Sequence, residues 1–166
     1  MQTQAGATRI VLVKDSDSGG TVRPLAIAVC CAVMLAALIV GVGVPNHMVL
    51  RHIIQTLPLW PALILGFRRS GAAGWLGLPV FVFWLVLMSF IWLYLLGISN
   101  MVSGNFTPWE ITMTIAVGIA CVVGIAAFVR LRLALSVPMR ILDFVALGAI
   151  QFVCFRLSFL PAVAHR

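Results

Sequence analysis

The stretch NHMVLRHIIQTLPLWPALILGFRRSG, residues 46–71, decides how this chain is threaded through a membrane. Its second half is apolar, and its first half carries a run of polar side chains: His47, Arg51, His52, Gln55 and Thr56. Pro58 and Pro61 each remove a backbone hydrogen bond, which predicts a bend within the stretch. We interpret the stretch as one complete crossing with a polar tip, because only then do most basic residues of the chain collect on one side.

The composition of the whole chain is typical of an integral membrane protein. Of its 166 residues, 63% are hydrophobic and 9% are charged, and the mean hydropathy is +1.15. Soluble domains carry about a quarter charged residues, so a soluble, disordered or disulfide-stapled chain is excluded. We therefore expect an all-α fold: an integral membrane helical bundle with about five transmembrane helices.

Apolar segments of about 20 residues account for most of the chain, as membrane-spanning helices require. We predict a single transmembrane bundle over residues 24–164, preceded by a flexible basic cytoplasmic tail over residues 1–23. Thr107 and Glu110 have the spacing of a capping box, which predicts that a helix starts near Pro108. The five spans are expected at residues 25–44, 48–67, 75–98, 109–129 and 139–160.

The basic residues predict the orientation. With five spans and the N-terminus in the cytoplasm, eight of the eleven Lys and Arg residues fall inside, as the positive-inside rule requires. These eight are Arg9, Lys14, Arg23, Arg68, Arg69, Arg130, Arg132 and Arg140. Their scatter along the span edges predicts the lipid bilayer as partner and no nucleic acid, and we place the chain in the plasma (inner) membrane.

The polar tip of the second span is the first candidate site. His47, Arg51 and Gln55 recur every four residues and share one helix face, with His52 beside it. Such a strip is costly against lipid, so it faces headgroups and water, or it lines a polar cavity or ligand site open to the outside. Both interpretations stay open at this point.

Two further polar residues are candidates for the same site or pathway. Glu110 is the sole acidic residue expected on the outer side. It either caps its own helix or lies opposite Arg51, His52 or Arg156, where it forms a charge pair between helices or binds a proton or cation. Gln151 is expected near mid-membrane, pointing into the bundle, where it forms interhelical hydrogen bonds or lines a pathway.

Helix packing has its own signal in small residues at four-residue spacing, which let helix backbones approach closely. Two seams are predicted, one on the first span and one on the fourth: Ala28, Ala32 and Ala36, and Ala116, Ala120 and Gly124. The four cysteines lie in apolar runs without Cys-x-x-Cys or Cys/His spacing, so we expect no metal and no cofactor.

Three classes of function remain. The leading hypothesis is an accessory, scaffolding or assembly subunit of a larger membrane complex, with a membrane-protein partner or self-association. The alternative is a small oligomeric transporter or channel, its polar pathway lined by residues of spans two and five. A membrane enzyme combining His52, Glu110 and a hydroxyl such as Ser103 is third, since no standard catalytic motif is present.

Overall fold

The computed structural model describes residues 18–102, 104–130 and 137–164. The structure is all-helical, and the described residues form no strand. The helices are α1 (Ser18–Leu35), which continues as a π-helical segment (Ala36–Gly43), α2 (Val49–Thr56), α3 (Leu59–Phe67), α4 (Ala72–Leu95), α5 (Pro108–Val129), α6 (Val137–Leu157) and α7 (Pro161–Ala164).

Within the described ranges, four helices are long and apolar enough to cross a membrane: α1 with its π-helical segment, α4, α5 and α6. The pair α2 and α3 makes a fifth crossing if it counts as one span, and the two helices meet at an angle of 65°. The all-helical membrane fold is therefore confirmed. The expected bend is also present, because the helical ladder stops at Leu57 and restarts after Pro58.

The first helix starts earlier than the sequence predicted. Residues 18–23 were assigned to the flexible tail, but α1 begins at Ser18, and the rest of that tail lies outside the described residues. Pro24 is consequently inside the helix and not at its first turn. Its ring is compatible with a helical φ and costs one backbone bond, and its buried position shows that packing holds the turn in place.

The core forms where α1, α3, α4 and α5 pack together. Ile27, Met34, Leu59, Phe81 and Val117 are at most 1% exposed and occupy its centre. Glycines allow the closest approaches, because a Cβ on Gly66 would lie 2.7 Å from the Cβ of Ala28, and one on Gly124 would lie 2.6 Å from the ring of Phe81.

The small residues expected to form seams are buried to different extents. Ala28, Ala120 and Gly124 are buried, Ala32 and Ala116 are half-buried, and Ala36 is exposed. The change at Ala36 has a physical reason: the chain there enters the π-helical segment, whose i to i+5 bonding turns the following residues away from a four-residue stripe.

The bundle has two chemically different ends. At one, which we call the basic end, the Arg23 guanidinium donates to the carbonyl of Arg130, and the turn after α3 holds Arg68 and Arg69. That turn is closed by backbone bonds from Arg69 to Gly66 and from Ser70 to Leu65, with Arg69 in the left-handed region. The opposite end, which we call the cavity end, holds the turn before α2, residues 96–102 and 104–107 of the connection between α4 and α5, and residues 158–164.

Candidate functional site

A partly open cavity of about 710 Å³ lies at the cavity end of the bundle. Its walls come from the π-helical segment, α2, α4, α5, α6 and the connection between α4 and α5. The lining is mainly apolar and aromatic, and it is interrupted by five side chains with strong hydrogen-bonding groups: Arg51, His52, Gln55, Glu110 and Thr114. A small group of polar side chains in an otherwise apolar pocket is typical of small-molecule sites.

Four of the six candidate site residues line this cavity, namely Arg51, His52, Gln55 and Glu110. His47 does not: it is exposed in the turn before α2, with φ 55° in the left-handed region. Gln151 is fully buried behind the cavity wall. The four-residue spacing alone would put His47 on the face of Arg51, but α2 begins only at Val49 and His47 is not part of the helix.

Arg51 is half-buried in the first turn of α2 and makes weak contacts only. Its Nη1 lies 3.6 Å from the Sδ of Met48, and its Cζ lies 4.0 Å over the centre of the Phe159 ring. Its Nε is buried and has no hydrogen-bond partner. No carboxylate among the described residues pairs with this guanidinium, and an aromatic ring attracts a cation without accepting its in-plane hydrogen bonds.

His52 has a defined tautomer. Its Nδ1 lies 2.9 Å from the backbone carbonyl of Met48, and a carbonyl only accepts, so Nδ1 carries the hydrogen. In a neutral imidazole, Nε2 then holds the lone pair. The ring is 8% exposed and packs close to Gly43, where an added Cβ would lie 3.3 Å from Nδ1.

Buried hydrogen bonds join α2 to α6 and to the turn that follows α6. Gln55 donates from Nε2 to the hydroxyl of Ser158 at 2.9 Å, and Gln151 donates from Nε2 to the backbone carbonyl of Gln55 at 3.0 Å. The carbonyl of Gln55 lies in the last turn of α2, where the break at Pro58 ends the helical ladder. The amide of Gln151 thus satisfies a carbonyl that the bend would otherwise leave unpaired.

Glu110 caps its own helix, as the sequence predicted. The Thr107 hydroxyl accepts from the Glu110 amide, and the Glu110 carboxylate accepts from the Thr107 backbone N–H at 2.8 Å, so the capping box is confirmed. The remaining carboxylate oxygen accepts from Asn46 Nδ2 at 2.8 Å. Glu110 therefore ties α5 to the turn before α2, and it makes no contact with Arg51.

Several contacts at the cavity end could not be predicted from the sequence. Trp109 donates from Nε1 to the carbonyl of Gly41 at 2.7 Å, which satisfies the end of the π-helical segment. The Asn46 side chain, in the turn before α2, donates to the carbonyl of Val42 and to the carboxylate of Glu110. The bonds from Trp109 to Gly41 and from Asn46 to Glu110 join residues more than 60 positions apart, and local spacing contains no information about them.

Metal binding and catalysis both depend on which His, Cys, Asp, Glu and Ser side chains lie close together. Within the described ranges, no group of three or more His, Cys, Asp or Glu residues could hold a metal ion. His52 and Glu110 line the same cavity, but the carboxylate is engaged by Asn46 and Thr107. Ser103, the third member of the hypothetical catalytic set, lies outside the described residues.

Comparisons of the chain with protein-family models, with curated proteins and with solved structures found no match. The cavity and its polar residues are therefore the basis for a functional proposal.

Proposed function

We propose that this chain is a membrane-embedded binding protein, which takes a molecule with a long apolar part and one polar end into its cavity. The observation that carries the proposal is the combination of a volume of about 710 Å³ with an apolar lining and a polar cluster on one side. This volume falls within the range of about 300–1,000 Å³ that small-molecule pockets occupy.

The two parts of the cavity suit the two parts of such a ligand. Leu87, Met88 and Ile91 on α4 form an apolar wall, against which a hydrocarbon chain would be buried. The polar cluster on α2 and α5 would hold the other end by hydrogen bonds. This proposal is narrower than the transporter hypothesis of the sequence analysis. It includes ligand binding but not transport, because the polar residues form a pocket at one end of the bundle.

Photocrosslinking tests the proposal directly. The purified chain in nanodiscs is incubated with a tetradecyl alcohol that carries a diazirine at the chain terminus, and labelled peptides are mapped by mass spectrometry. We expect saturable labelling of the α4 segment around Leu87. Labelling that does not saturate and is spread over lipid-facing positions of all helices would contradict the proposal.

A matched pair of variants provides the control. Leu87→Trp places a bulky ring in the cavity wall, whereas Val86→Trp adds the same ring one residue away, on a position that is 49% exposed on the outside of the bundle. We expect Leu87→Trp to remove the saturable labelling and Val86→Trp to leave it unchanged.

An accessory or assembly role is the second candidate, and α6 is the observation that favours it. Only 6% of the most apolar 18-residue segment of α6 is buried inside the bundle. The helix therefore presents apolar side chains such as Ile141, Val145 and Val153 to its surroundings. A membrane-protein partner or a second copy would cover this face. Crosslinking from α6 cysteines in native membranes tests this role, and crosslinks to lipid alone would count against it.

The orientation and the membrane are part of the proposal. Arg23, Arg68, Arg69 and Arg130 share the basic end, which supports a cytoplasmic N-terminus in the plasma (inner) membrane with the cavity end outside. Cysteines at positions 69 and 100 should then react with a membrane-impermeant maleimide from opposite sides. Labelling of both positions from the same side would overturn this threading.

A further inference from the structure

The unsatisfied polar atoms of the cavity walls are both hydrogen-bond donors. Arg51 Nε and Trp84 Nε1 are buried without a partner, and both side chains line the cavity. Trp84 is 2% exposed, so its Nε1 is enclosed by the protein. A buried donor without a partner costs about 1–3 kcal/mol, and more when it is charged. Arg51 is half-buried and lines the cavity, so the N–H groups of its guanidinium other than Nε are the donors that a ligand in the cavity can meet.

The electrostatics of Arg51 point to a negative charge in particular. Arginine stays protonated in proteins, so its charge in an apolar cavity needs compensation. Arg51 also occupies the first turn of α2, a helix with no side-chain cap and no acidic residue in that turn. The positive end of the helix dipole and the guanidinium therefore repel each other, and a bound anion would stabilise both.

Glu110 lines the same cavity but does not meet this need. Its carboxylate accepts hydrogen bonds from Asn46 Nδ2, the Thr107 amide and the Thr107 hydroxyl, at 2.8, 2.8 and 2.9 Å. It also lies in the first turn of α5, where the helix dipole favours a negative charge. The charge of Glu110 is thus compensated by its own surroundings, whereas that of Arg51 is not.

From these observations we propose that the ligand is a single-chain amphiphile with an anionic carboxylate or phosphate headgroup, and that Arg51 binds this headgroup. The inference rests on the proposed binding function and adds the ligand class to it. Phe159 acts as a positioning residue: its ring holds the guanidinium at 4.0 Å without using an acceptor, so the N–H groups remain available to the anion.

The test uses the diazirine assay with headgroup variants of the same tetradecyl chain: carboxylate, phosphate, alcohol and trimethylammonium. With the wild-type chain in nanodiscs, we expect the anionic probes to reach half-saturation at a concentration about tenfold or more below that of the alcohol, as a charge-assisted contact provides. The trimethylammonium probe should bind most weakly. A preference for carboxylate or for phosphate would distinguish a fatty acid from a phosphate-bearing lipid, and either result supports the inference.

Arg51→Gln should abolish the preference for anions, and Arg51→Lys should retain part of it, because the charge remains but the planar donor set is lost. Arg156→Gln is the matched control, since it removes an exposed arginine from α6. If Arg51→Gln fails to fold, the comparison of anionic and neutral probes on the wild-type chain still decides the question.

The two levels of the proposal fail differently. If no probe labels the cavity saturably, the binding function itself is wrong. If the alcohol and the anions bind equally well and Arg51→Gln changes nothing, the binding function stands and the assignment of an anionic ligand is overturned.

Discussion

The two helices of the bent pair, α2 and α3, are neighbours in sequence but are held in place by different physical means. α3 is apolar and packs backbone to backbone, with Gly66 against Ala28 and the carbonyl of Pro24. α2 is amphipathic and carries Arg51, His52 and Gln55 on the cavity wall. Two buried hydrogen bonds connect it to Gln151 of α6 and to Ser158 just after α6.

This difference teaches how a short membrane protein combines a rigid bundle with a polar site. Close packing of small residues needs no polar groups. It stabilises the basic end inside a lipid bilayer, where there is no hydrophobic driving force between helices. The polar side chains are confined to the cavity end, where the break at Pro58 turns α2 away from the line of α3. The bend therefore separates α3, which is closely packed in the bundle, from α2, which we propose binds ligand.

The largest effect should come from a methyl group on α3. Gly66→Ala would bring a Cβ to 2.8 Å from the backbone carbonyl of Pro24, an atom that cannot rotate away. We expect the free energy of unfolding in detergent, measured by SDS titration, to fall by about 1–3 kcal/mol.

The control substitution, Gly148→Ala, should have the opposite effect on stability. A Cβ on Gly148 of α6 would meet nothing within 4 Å, so Gly148→Ala should stabilise its helix by up to about 1 kcal/mol. Equal effects of the two substitutions would show that close packing does not distinguish α3 from α6.

A smaller effect is expected from the polar tie of α2. Gln151→Met keeps the size of a fully buried side chain but removes the donor to the carbonyl of Gln55. The free energy of unfolding should fall by about 1 kcal/mol, the typical value of a hydrogen bond between membrane helices. Ile150→Met, on the adjacent exposed position, should have almost no effect. If Gln151→Met lowers the free energy of unfolding more than Gly66→Ala does, the hydrogen bonds of α2 contribute more to stability than the close packing of α3.

The smallest effect should come from a hydroxyl that serves only its own helix. Thr56 is fully buried, and its Oγ1 donates to the carbonyl of His52 at 2.8 Å, one turn earlier in α2. Thr56→Val has nearly the same shape and should change the free energy of unfolding by less than about 0.5 kcal/mol. A loss as large as that of Gln151→Met would mean that bonds within α2 matter as much as its bonds to α6.

Local sequence signals predicted those features whose causes are local. The capping box at Thr107 and Glu110 marked the start of α5, because both partners lie within one turn. The bend at Pro58 follows from a missing N–H and a crowded ring. The spans agree with the helices to within a few residues, except at the N-terminus, where α1 begins at Ser18.

The remaining features depend on residues that lie far apart in the chain. No spacing rule indicates that the ring of Phe159 covers Arg51, that Asn46 bonds to Glu110, or that Trp109 meets Gly41. The π-helical segment also lacks a recognisable signal, and it removed Ala36 from the predicted seam. Of the polar residues in this stretch, Arg51, His52 and Gln55 of α2 line the cavity, whereas His47 and Thr56 do not.

The amino-acid sequence by itself determined that this chain is a helical membrane protein with a proline bend after a polar helical segment, because hydropathy, proline and caps act within one or two turns of a helix. Tertiary structure alone decided which polar groups find partners. Glu110 is satisfied by Asn46 and Thr107, whereas Arg51 keeps an unpaired donor in an apolar cavity. Pairing depends on which helices meet and at what depth, and that is fixed by the packing of the whole bundle.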